Sequence, residues 1–399
     1  MNFLFTEEDE RWRREVRECI NEMLPEEWTG PPWAAEPEKD TEESWAFARE
    51  FNRKLYKKGW LTMAWPEEYG GQNASATKEA IFREELAYAR APLVDIYGPT
   101  IVGPTLMNFG SEEQKKEHLG RIRTGGVLWT QGFSEPDAGS DLANLKTRAV
   151  KDGDYYVING QKVWTSVGDR ADWTFLLVRT GGPDLPRHKG LSLFLSELKG
   201  LEGWTPRPLE NIGGGRTFCE VFLDNVRIHK DNLVGGENKG WYVAMASLDY
   251  ERAGGAAFPA GYRRVLDDLV EYVKEKRKQG EVISHYAVVR HRLAELAVEI
   301  EAAKMFGYRI FCMLDQGNRP NYEASLSHAY QADLGKRLFS VGMQILGLYG
   351  QLGMESKAKR LKGMITRDYL YSVARGLAGG SAEVMRNVIA TRGLNLPRD

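Results

Sequence analysis

Residues 129–141 carry the most informative stretch of the chain, which reads WTQGFSEPDAGSD. It follows a strand-like run and ends in a turn of small residues. Such a turn lets backbone N–H groups approach an anionic or heteroaromatic ligand closely. A Pro-Asp-x-Gly turn that joins two strands and binds nothing fits the same letters.

A second stretch, residues 158–166, reads INGQKVWTS. Trp164 stands at the end of a strand-like run, and Thr165 and Ser166 follow it. An indole with neighbouring hydroxyls could stack beside a planar ring and hydrogen-bond its polar edge. A half-buried strand tryptophan without a ligand is the alternative.

Outside these stretches, the local patterns predict helices, then a β domain, then helices. Thr6 with Asp9 resembles an N-cap pair, and Ser111 with Gln114 fits a capping box. The β-rich runs are residues 155–158, 173–178 and 191–195, and the dipeptides Asp152-Gly153 and Asn159-Gly160 favour two-residue hairpin turns. A small antiparallel sheet or barrel is therefore expected in the middle of the chain.

Helical periodicity returns after Gly240 over long segments. Three sets of apolar residues each share one helix face: Val265, Leu269 and Val273; Leu293, Leu296, Ile300 and Ala303; Leu334, Leu338, Val341 and Ile345. Long amphipathic helices bury such faces against one another, so a helical bundle is predicted. The predicted domains are residues 1–126, 127–236 and 237–399.

Composition excludes several classes of protein. The 399 residues include 54 Lys+Arg and 56 Asp+Glu, for a net charge of -2, so we expect no nucleic-acid binding. Three cysteines do not support a disulfide framework, and His285 and His291 are expected at the surface rather than in a metal site. No signal peptide or membrane span is recognised, which predicts a cytoplasmic protein.

The two stretches, in this order and spacing, resemble the acyl-CoA dehydrogenase family. Further matching segments extend the resemblance over nearly the whole chain; they are residues 59–60, 65–71, 110–115, 224–227, 232–235, 344–350 and 380–387. The resemblance implies an α+β fold with an N-terminal helical domain, a middle antiparallel β domain and a C-terminal four-helix bundle. This is the order that the local patterns predict without the family.

The implied activity is α,β-dehydrogenation of an acyl-CoA thioester to the trans-2-enoyl-CoA. Such a reaction needs a base for the α-proton, an acceptor for the β-hydride and donors to the thioester oxygen. In the family FAD is the hydride acceptor, and the electrons pass to an electron-transfer flavoprotein. The family also implies a shared cofactor site and hence an oligomer, either a homotetramer or dimer or a heterotetramer with a homologous subunit.

The resemblance also assigns cofactor residues. Near the isoalloxazine ring it implies Gln131, Phe133, Ser134, Gly139, Trp164, Thr165 and Ser166, while Ser140 would serve both the cofactor and the CoA arm. The other implied FAD contacts are Arg277, Gln344, Gly347, Ser381 and Glu383, with Gln344 and Gly347 reaching the adenosine half from a neighbouring subunit. Two departures alter this part of the pattern: the segment after Arg277 lacks the family's Phe, and Leu348 replaces a common Gly.

The family places its catalytic glutamate in either of two positions. One is occupied by Gly379, which cannot accept a proton. The other, on the first helix of the bundle, holds Glu251, which we predict to be the base, with Asp249 and Arg252 near the substrate. Without the family, the same segment would be a helix start with solvated or paired charges.

Gly379 has two interpretations of its own. Its backbone N–H would still be available to the thioester oxygen, because that donor needs no side chain. Alternatively, Gly379 only terminates a helix.

Two other functions stay open: a flavin oxidase or monooxygenase on the same fold, and a partner subunit of a hetero-oligomeric dehydrogenase. The acyl specificity is not determined by the sequence. Gly254, Gly255 and Ala256 leave room beside Glu251 for a branched or cyclic acyl group, but small residues serve close helix packing equally well.

Overall fold

The computed structural model describes residues 5–31, 40–278 and 281–397, and it describes the backbone alone at residues 252–254, 256, 277, 278 and 281. Its α-helices are α1 (Glu7–Met23), α2 (Glu42–Lys57), α3 (Ala76–Tyr88), α4 (Gly103–Phe109), α5 (Glu112–Arg123), α6 (Gly240–Gly254), α7 (Pro259–Glu275), α8 (Ala287–Asp315), α9 (Tyr322–Leu346), α10 (Met364–Ser372) and α11 (Ala382–Val388). Both predicted N-terminal caps are confirmed, since Thr6 and Ser111 each form a reciprocal capping box.

The strands of the sheet lie between α5 and α6. They are β1 (Trp129–Gly132), β2 (Arg148–Asp152), β3 (Tyr155–Ser166), β4 (Trp173–Arg179), β5 (Leu191–Glu197), β6 (Trp204–Leu209), β7 (Phe218–His229) and β8 (Leu233–Val234). Their order is β6-β7-β3-β2-β4-β5-β8, with β1 beside β4. Most pairs are antiparallel, while β4 pairs in parallel with β1 and β2. A short hairpin, β9 (Arg277–Lys278) with β10 (Glu281–Val282), stands apart.

One predicted turn is confirmed and one is wrong. Asp152 pairs with Tyr155 across the tight turn that joins β2 to β3, with Gly153 at φ +61. Asn159-Gly160, in contrast, lies inside β3, where the register against β7 shifts. Gly160 has φ +153, and a Cβ there would lie 2.7 Å from the Cα of Thr147. The glycine therefore serves a β-bulge and a close backbone approach rather than a hairpin turn.

The chain forms two compact units, and each unit combines segments that are separated along the sequence. The first contains residues 1–33, 74–91 and 252–399, and the second contains 34–73 and 92–251. In the first unit, α7, α8 and α9 bury their predicted apolar faces in one core, with Ile345 packed against its edge. In the second unit, α4, α5 and the first part of α6 pack against one face of the sheet around Trp129 and Phe175.

The remaining structural expectations concern cysteines, metals and membranes. Cys19, Cys219 and Cys312 form no disulfide bond. Within the described ranges, no His, Cys, Asp or Glu residues cluster in a group that could hold a metal ion. None of the helices in the described ranges has both the length and the apolar composition needed to cross a membrane.

Candidate active site

The segment after β1 folds as the predicted turn, and the turn is anchored from inside the protein. The backbones of Glu135 and Ala138 exchange two hydrogen bonds of 3.1 and 3.0 Å. The Glu135 side chain points inward and accepts from the N–H groups of Lys146 (2.6 Å) and Thr147 (2.8 Å). Gly139 and Ser140 follow at the exposed end of the turn. The tip is therefore open to a ligand while its base is held rigidly.

A buried lysine joins this turn to the second stretch. Lys162 of β3 is fully buried, and its Nζ donates to the carbonyl of Phe133 (3.0 Å) and to Oε1 of Glu135 (2.9 Å). The N–H of Val163 also donates to the carbonyl of Ser134 at 2.9 Å. The structure thus brings together the two stretches that the sequence singled out.

The protonation states of this pair follow from burial and from mutual attraction. Burial lowers the pKa of the Lys162 ammonium to about 8, although the Glu135 carboxylate opposes the shift. For Glu135, burial raises the pKa, but the Lys162 charge and the hydrogen bonds from residues 146 and 147 outweigh it and hold the pKa below its usual value. Near neutral pH the two groups form a charged pair.

Trp164 leaves the sheet in an unusual conformation. Its φ is +61, and the register between β3 and β7 shifts around it. The side chain is 61% exposed and meets the ring of Phe218 edge-on at 6.2 Å. A positive φ is costly for a bulky residue and is retained only where the surroundings enforce it. The exposed indole is thereby presented on the surface rather than half-buried in the strand.

Ser166, at the end of β3, lies beside Tyr97, which in turn interacts electrostatically with Glu251. The Tyr97 hydroxyl donates to Ser166 Oγ at 3.0 Å. Burial first, and the Glu251 charge second, raise the pKa of Tyr97 well above its usual value. Tyr97 therefore stays protonated as a donor, and the Glu251 carboxylate lies within electrostatic range of it. One corner of the second unit thus holds the predicted base and the end of the second stretch.

Three buried polar atoms in these stretches have no partner within the described residues, and one of them, Trp129 Nε1, lies in the core of the second unit. Gln131 Nε2 and Thr165 Oγ1 are enclosed and make no hydrogen bond within the described part of the chain. Burial without a partner costs about 1 to 3 kcal/mol for each group. A heteroaromatic ring with carbonyl and N–H groups on its edge offers suitable partners, so these residues fit a flavin. Phe133 instead packs its ring edge-on against Phe175 at 5.2 Å, in the core.

The remaining predictions on α6 and nearby are placed only in part. Asp249 is exposed, and the hydroxyl of its neighbour Tyr250 accepts from Asn108 Nδ2 at 2.9 Å. The side chains of Arg252 and Arg277 lie outside the described residues. Their predicted contacts with substrate and FAD therefore stay predictions.

In the first unit, the C-terminal motif forms a glycine turn before α11. Gly379 and Gly380 have φ of +69 and +104, and no described residue accepts a hydrogen bond from the Gly379 N–H. Ser381 caps α11, its Oγ accepting from the N–H of Val384 at 3.3 Å. Hydrogen bonds from its own N–H and from Ser381 lower the pKa of the exposed Glu383. Both side chains thus have a local capping role beside any contact with a cofactor.

The predicted adenosine-side residues lie at the end of α9. Gln344 and Gly347 are exposed, and Gly347 ends the helix with φ +58. Leu348, which departs from the family pattern, is 81% exposed. Its neighbour Tyr349 is also exposed, at 43%, so two large side chains lie together on the surface at this end of the helix.

Sequence reasoning missed Tyr97, Glu135 and Lys162. Tyr97 carries no motif, and its role depends on contacts with residues far along the chain. Glu135 and Lys162 are both part of the quoted stretches. A lysine within a strand, two residues before the exposed Trp164, was a usable signal. A charged residue at an inward-facing strand position predicts a buried partner.

Comparison with known proteins places this geometry in a family. Three family models match the chain: acyl-CoA dehydrogenase N-terminal domain over residues 6–126, middle domain over 130–226 and C-terminal domain over 238–394. A relative from Mycobacterium tuberculosis, the acyl-CoA dehydrogenase IpdE1, is 35% identical and is covered over 98% of both chains.

Two solved structures are similar over the full length of both chains. One is the Tcur3481-Tcur3483 steroid ACAD, with 31% identity and a TM-score of 0.90. The other is the ChsE4-ChsE5 complex from Mycobacterium tuberculosis, with 32% identity and a TM-score of 0.88.

Proposed function

The chain belongs to the acyl-CoA dehydrogenase family, and from this premise we propose that it desaturates an acyl-CoA thioester with Glu251 as the base for the α-proton. Members of the family are FAD-dependent flavoproteins, so this acyl-CoA dehydrogenase uses FAD. When bound, FAD supplies the acceptor for the β-hydride. The observation that supports the base assignment is that the Glu251 charge acts on Tyr97, whose hydroxyl donates to Ser166 at the end of the second stretch.

Each residue of the proposed site would have a separate role that follows from its position. Glu251 takes the proton, while Tyr97 holds Ser166 by donating to its Oγ. Gln131 and Thr165 offer unsatisfied polar groups to the ring of the cofactor, and Trp164 presents its indole beside them on β3. We extend the proposal to Phe133, Ser134, Gly139 and Ser140 as lining residues, because they belong to the same anchored turn.

The test is an anaerobic titration of the FAD-loaded protein with short, branched, long and ring-bearing acyl-CoAs. We expect one class to bleach the flavin absorbance, and Glu251→Gln to abolish bleaching because an amide cannot take the α-proton. The matched control is Glu271→Gln, an exposed carboxylate on α7 whose partner is Lys274 at 2.7 Å.

Unchanged bleaching in Glu251→Gln with FAD retained would reject the base assignment. Oxygen consumption during substrate turnover would instead favour the flavin oxidase or monooxygenase alternative. An FAD-loaded protein that no acyl-CoA bleaches would favour the partner-subunit alternative.

For the substrate class, we propose a ring-bearing acyl-CoA. One similar structure is named a steroid ACAD. In this chain the small residues 254–256 lie three to five positions after Glu251. The names of both similar structures join two components, which supports a hetero-oligomer with a homologous subunit as the assembly. We retain an electron-transfer flavoprotein as the acceptor and the domain boundaries 1–126, 127–236 and 237–399.

We also propose that the Gly379 N–H donates to the thioester oxygen. Its φ of +69 rules out a proline substitution as a test, because proline requires a negative φ and would disrupt the turn as well as the donor. Replacing Gly379 by glycolic acid through semisynthesis removes only the N–H. A fall in the rate of flavin bleaching of roughly a hundredfold is expected for an oxyanion donor, and an unchanged rate would contradict it.

A further inference from the structure

The Lys162–Glu135 pair is the most completely enclosed pair of opposite charges in the β domain among the described residues. Lys162 is 0% exposed and Glu135 is 7% exposed. Nothing in the proposed proton transfer uses either side chain. Their hydrogen bonds nevertheless connect the turn, residues 146 and 147, and β3, the strand that carries Trp164 and Ser166.

The contacts of the pair connect three separate segments. Lys162 of β3 donates to the Phe133 carbonyl, at the start of the turn, and to the Glu135 carboxylate within it. Glu135 accepts in turn from the backbone of residues 146 and 147, which lead into β2. Glu135 and Lys162 therefore set the position of Phe133 and Ser134 relative to β3.

We propose that Lys162 and Glu135 are positioning residues for FAD, which fix the turn that lines the flavin against the strand that carries Trp164. This inference rests on the proposed function for its assignment of the lining residues. The pair acts through the backbone of Phe133 and Ser134 and touches no reacting atom.

Energetics favour positioning over simple stabilisation. Removing two charges from water costs several kcal/mol per ion, and a well-packed apolar pair of the same size is often equally stable. An ion pair has directional donors and acceptors that an apolar pair lacks, so it specifies one arrangement of the turn. The loss of the pair should therefore affect ligand geometry more than folding.

The experiment compares FAD affinity with apoprotein stability in Lys162→Met, Glu135→Gln and the double variant. FAD binding to the apoprotein is followed by the change in flavin fluorescence, without substrate, and stability by the melting temperature of the apoprotein. The matched control is Lys230→Met, which removes an exposed pair with Asp154 (2.7 Å) in the same β domain.

We expect Lys162→Met to weaken FAD binding roughly tenfold or more, the effect of losing one charge-assisted hydrogen bond. The double-variant apoprotein should keep a melting temperature close to that of the wild type, whereas Lys162→Met should melt lower because it leaves the buried Glu135 carboxylate without its counter-charge. Lys230→Met should bind FAD normally. The double variant should lose little more affinity than either single variant, because the two side chains act as a unit.

Unchanged FAD affinity in the folded double variant would overturn the proposal, and so would a loss of affinity in that variant that merely parallels a lower melting temperature. Should the double variant fail to fold, FAD affinity of the wild type between pH 7 and 9.5 provides the second measurement. Weakening through the deprotonation of Lys162 supports the proposal, and a flat profile contradicts it. Because no acyl-CoA is present, the result is independent of the dehydrogenase activity.

Discussion

Tyr97 is the residue in the site for which the structure adds most to the sequence. Its hydroxyl stays protonated and donates to Ser166, and the neighbouring Glu251 charge reinforces that state. The residues around it bring the predicted base and the end of β3 into the same corner. The activity of the site should therefore depend on a hydroxyl that no motif contains.

Tyr97→Phe tests this dependence by removing the hydroxyl alone. We expect FAD to be retained and the rate of flavin bleaching to fall about tenfold, since one hydrogen bond near the reacting groups is lost. Tyr156→Phe is the control, because its hydroxyl donates to Glu237 at 3.2 Å elsewhere in the β domain. Equal rates in wild type and Tyr97→Phe would exclude this role for Tyr97.

Lys162 predicts an unusual dependence of stability on pH. Burial lowers its pKa to about 8 in the folded protein, against a reference value of 10.5. Between these values the unfolded chain binds more protons, so the folded state gains stability as pH rises from about 8 to about 10.5. Two cationic side chains, Lys162 and Arg179, interact electrostatically with Glu135.

Urea unfolding at pH 7 to 10 measures this effect as the difference in free energy of unfolding between wild type and Lys162→Met. The free energy of unfolding of the wild type should increase relative to that of Lys162→Met as the pH rises. For Lys230→Met the difference should stay nearly constant over this range, because a hydrogen bond to Asp154 raises the pKa of Lys230 above 10.5 and its stabilising effect is lost only at higher pH. A constant difference for Lys162→Met would show that its ammonium is not destabilised by burial.

At the scale of elements, β3 decides the geometry of the site. The strand contains two irregularities, the bulge at Gly160 and the positive φ of Trp164. The first lets Thr147, beside the Glu135 anchor, approach the strand closely, and the second turns the indole out of the sheet. The dipeptide Asn159-Gly160 predicted a hairpin turn because these residue types favour one. The sequence around the dipeptide does not show that the segments on both sides of it pair with the same long strand, β7.

Alanine substitutions at Gly160 and Gly153 distinguish a glycine that a close contact requires from one that only its positive φ requires. Gly160→Ala should lose about 2 to 3 kcal/mol of unfolding free energy, because a Cβ would lie 2.5 Å from Thr147 Oγ1 and 2.7 Å from its Cα. Gly153→Ala should lose only about 1 kcal/mol, since its φ is also positive but no atom lies within 4 Å. Chemical denaturation measures both, and equal losses would contradict the close approach.

At the scale of the whole molecule, the predicted site residues are distributed over both compact units. Glu251, Tyr97 and both quoted stretches belong to one unit, while Gly379, Gln344 and Gly347 belong to the other. The resemblance implies that the exposed end of α9 contacts a neighbouring subunit. Assembly should therefore affect cofactor retention as well as stability.

Leu348→Asp tests the role of that surface in assembly. Leu348 is 81% exposed, and we expect a charge there to shift the protein to smaller species and to promote FAD loss, because burying an unpaired carboxylate is costly. Ile212→Asp is a matched control with 75% exposure in the other unit. Size-exclusion chromatography with light scattering measures the mass, and an unchanged assembly would rule out this surface.

The sequence by itself determined the order of helices and strands, the capping boxes at Thr6 and Ser111, the apolar faces of α7 to α9 and the family. These features depend on neighbours within a few residues, or on motifs that can be matched letter by letter. Only the tertiary structure decided the Lys162–Glu135 anchor, the bulge at Gly160 and the placement of Tyr97. Each of these depends on which distant segments pair, and local periodicity carries no record of such contacts.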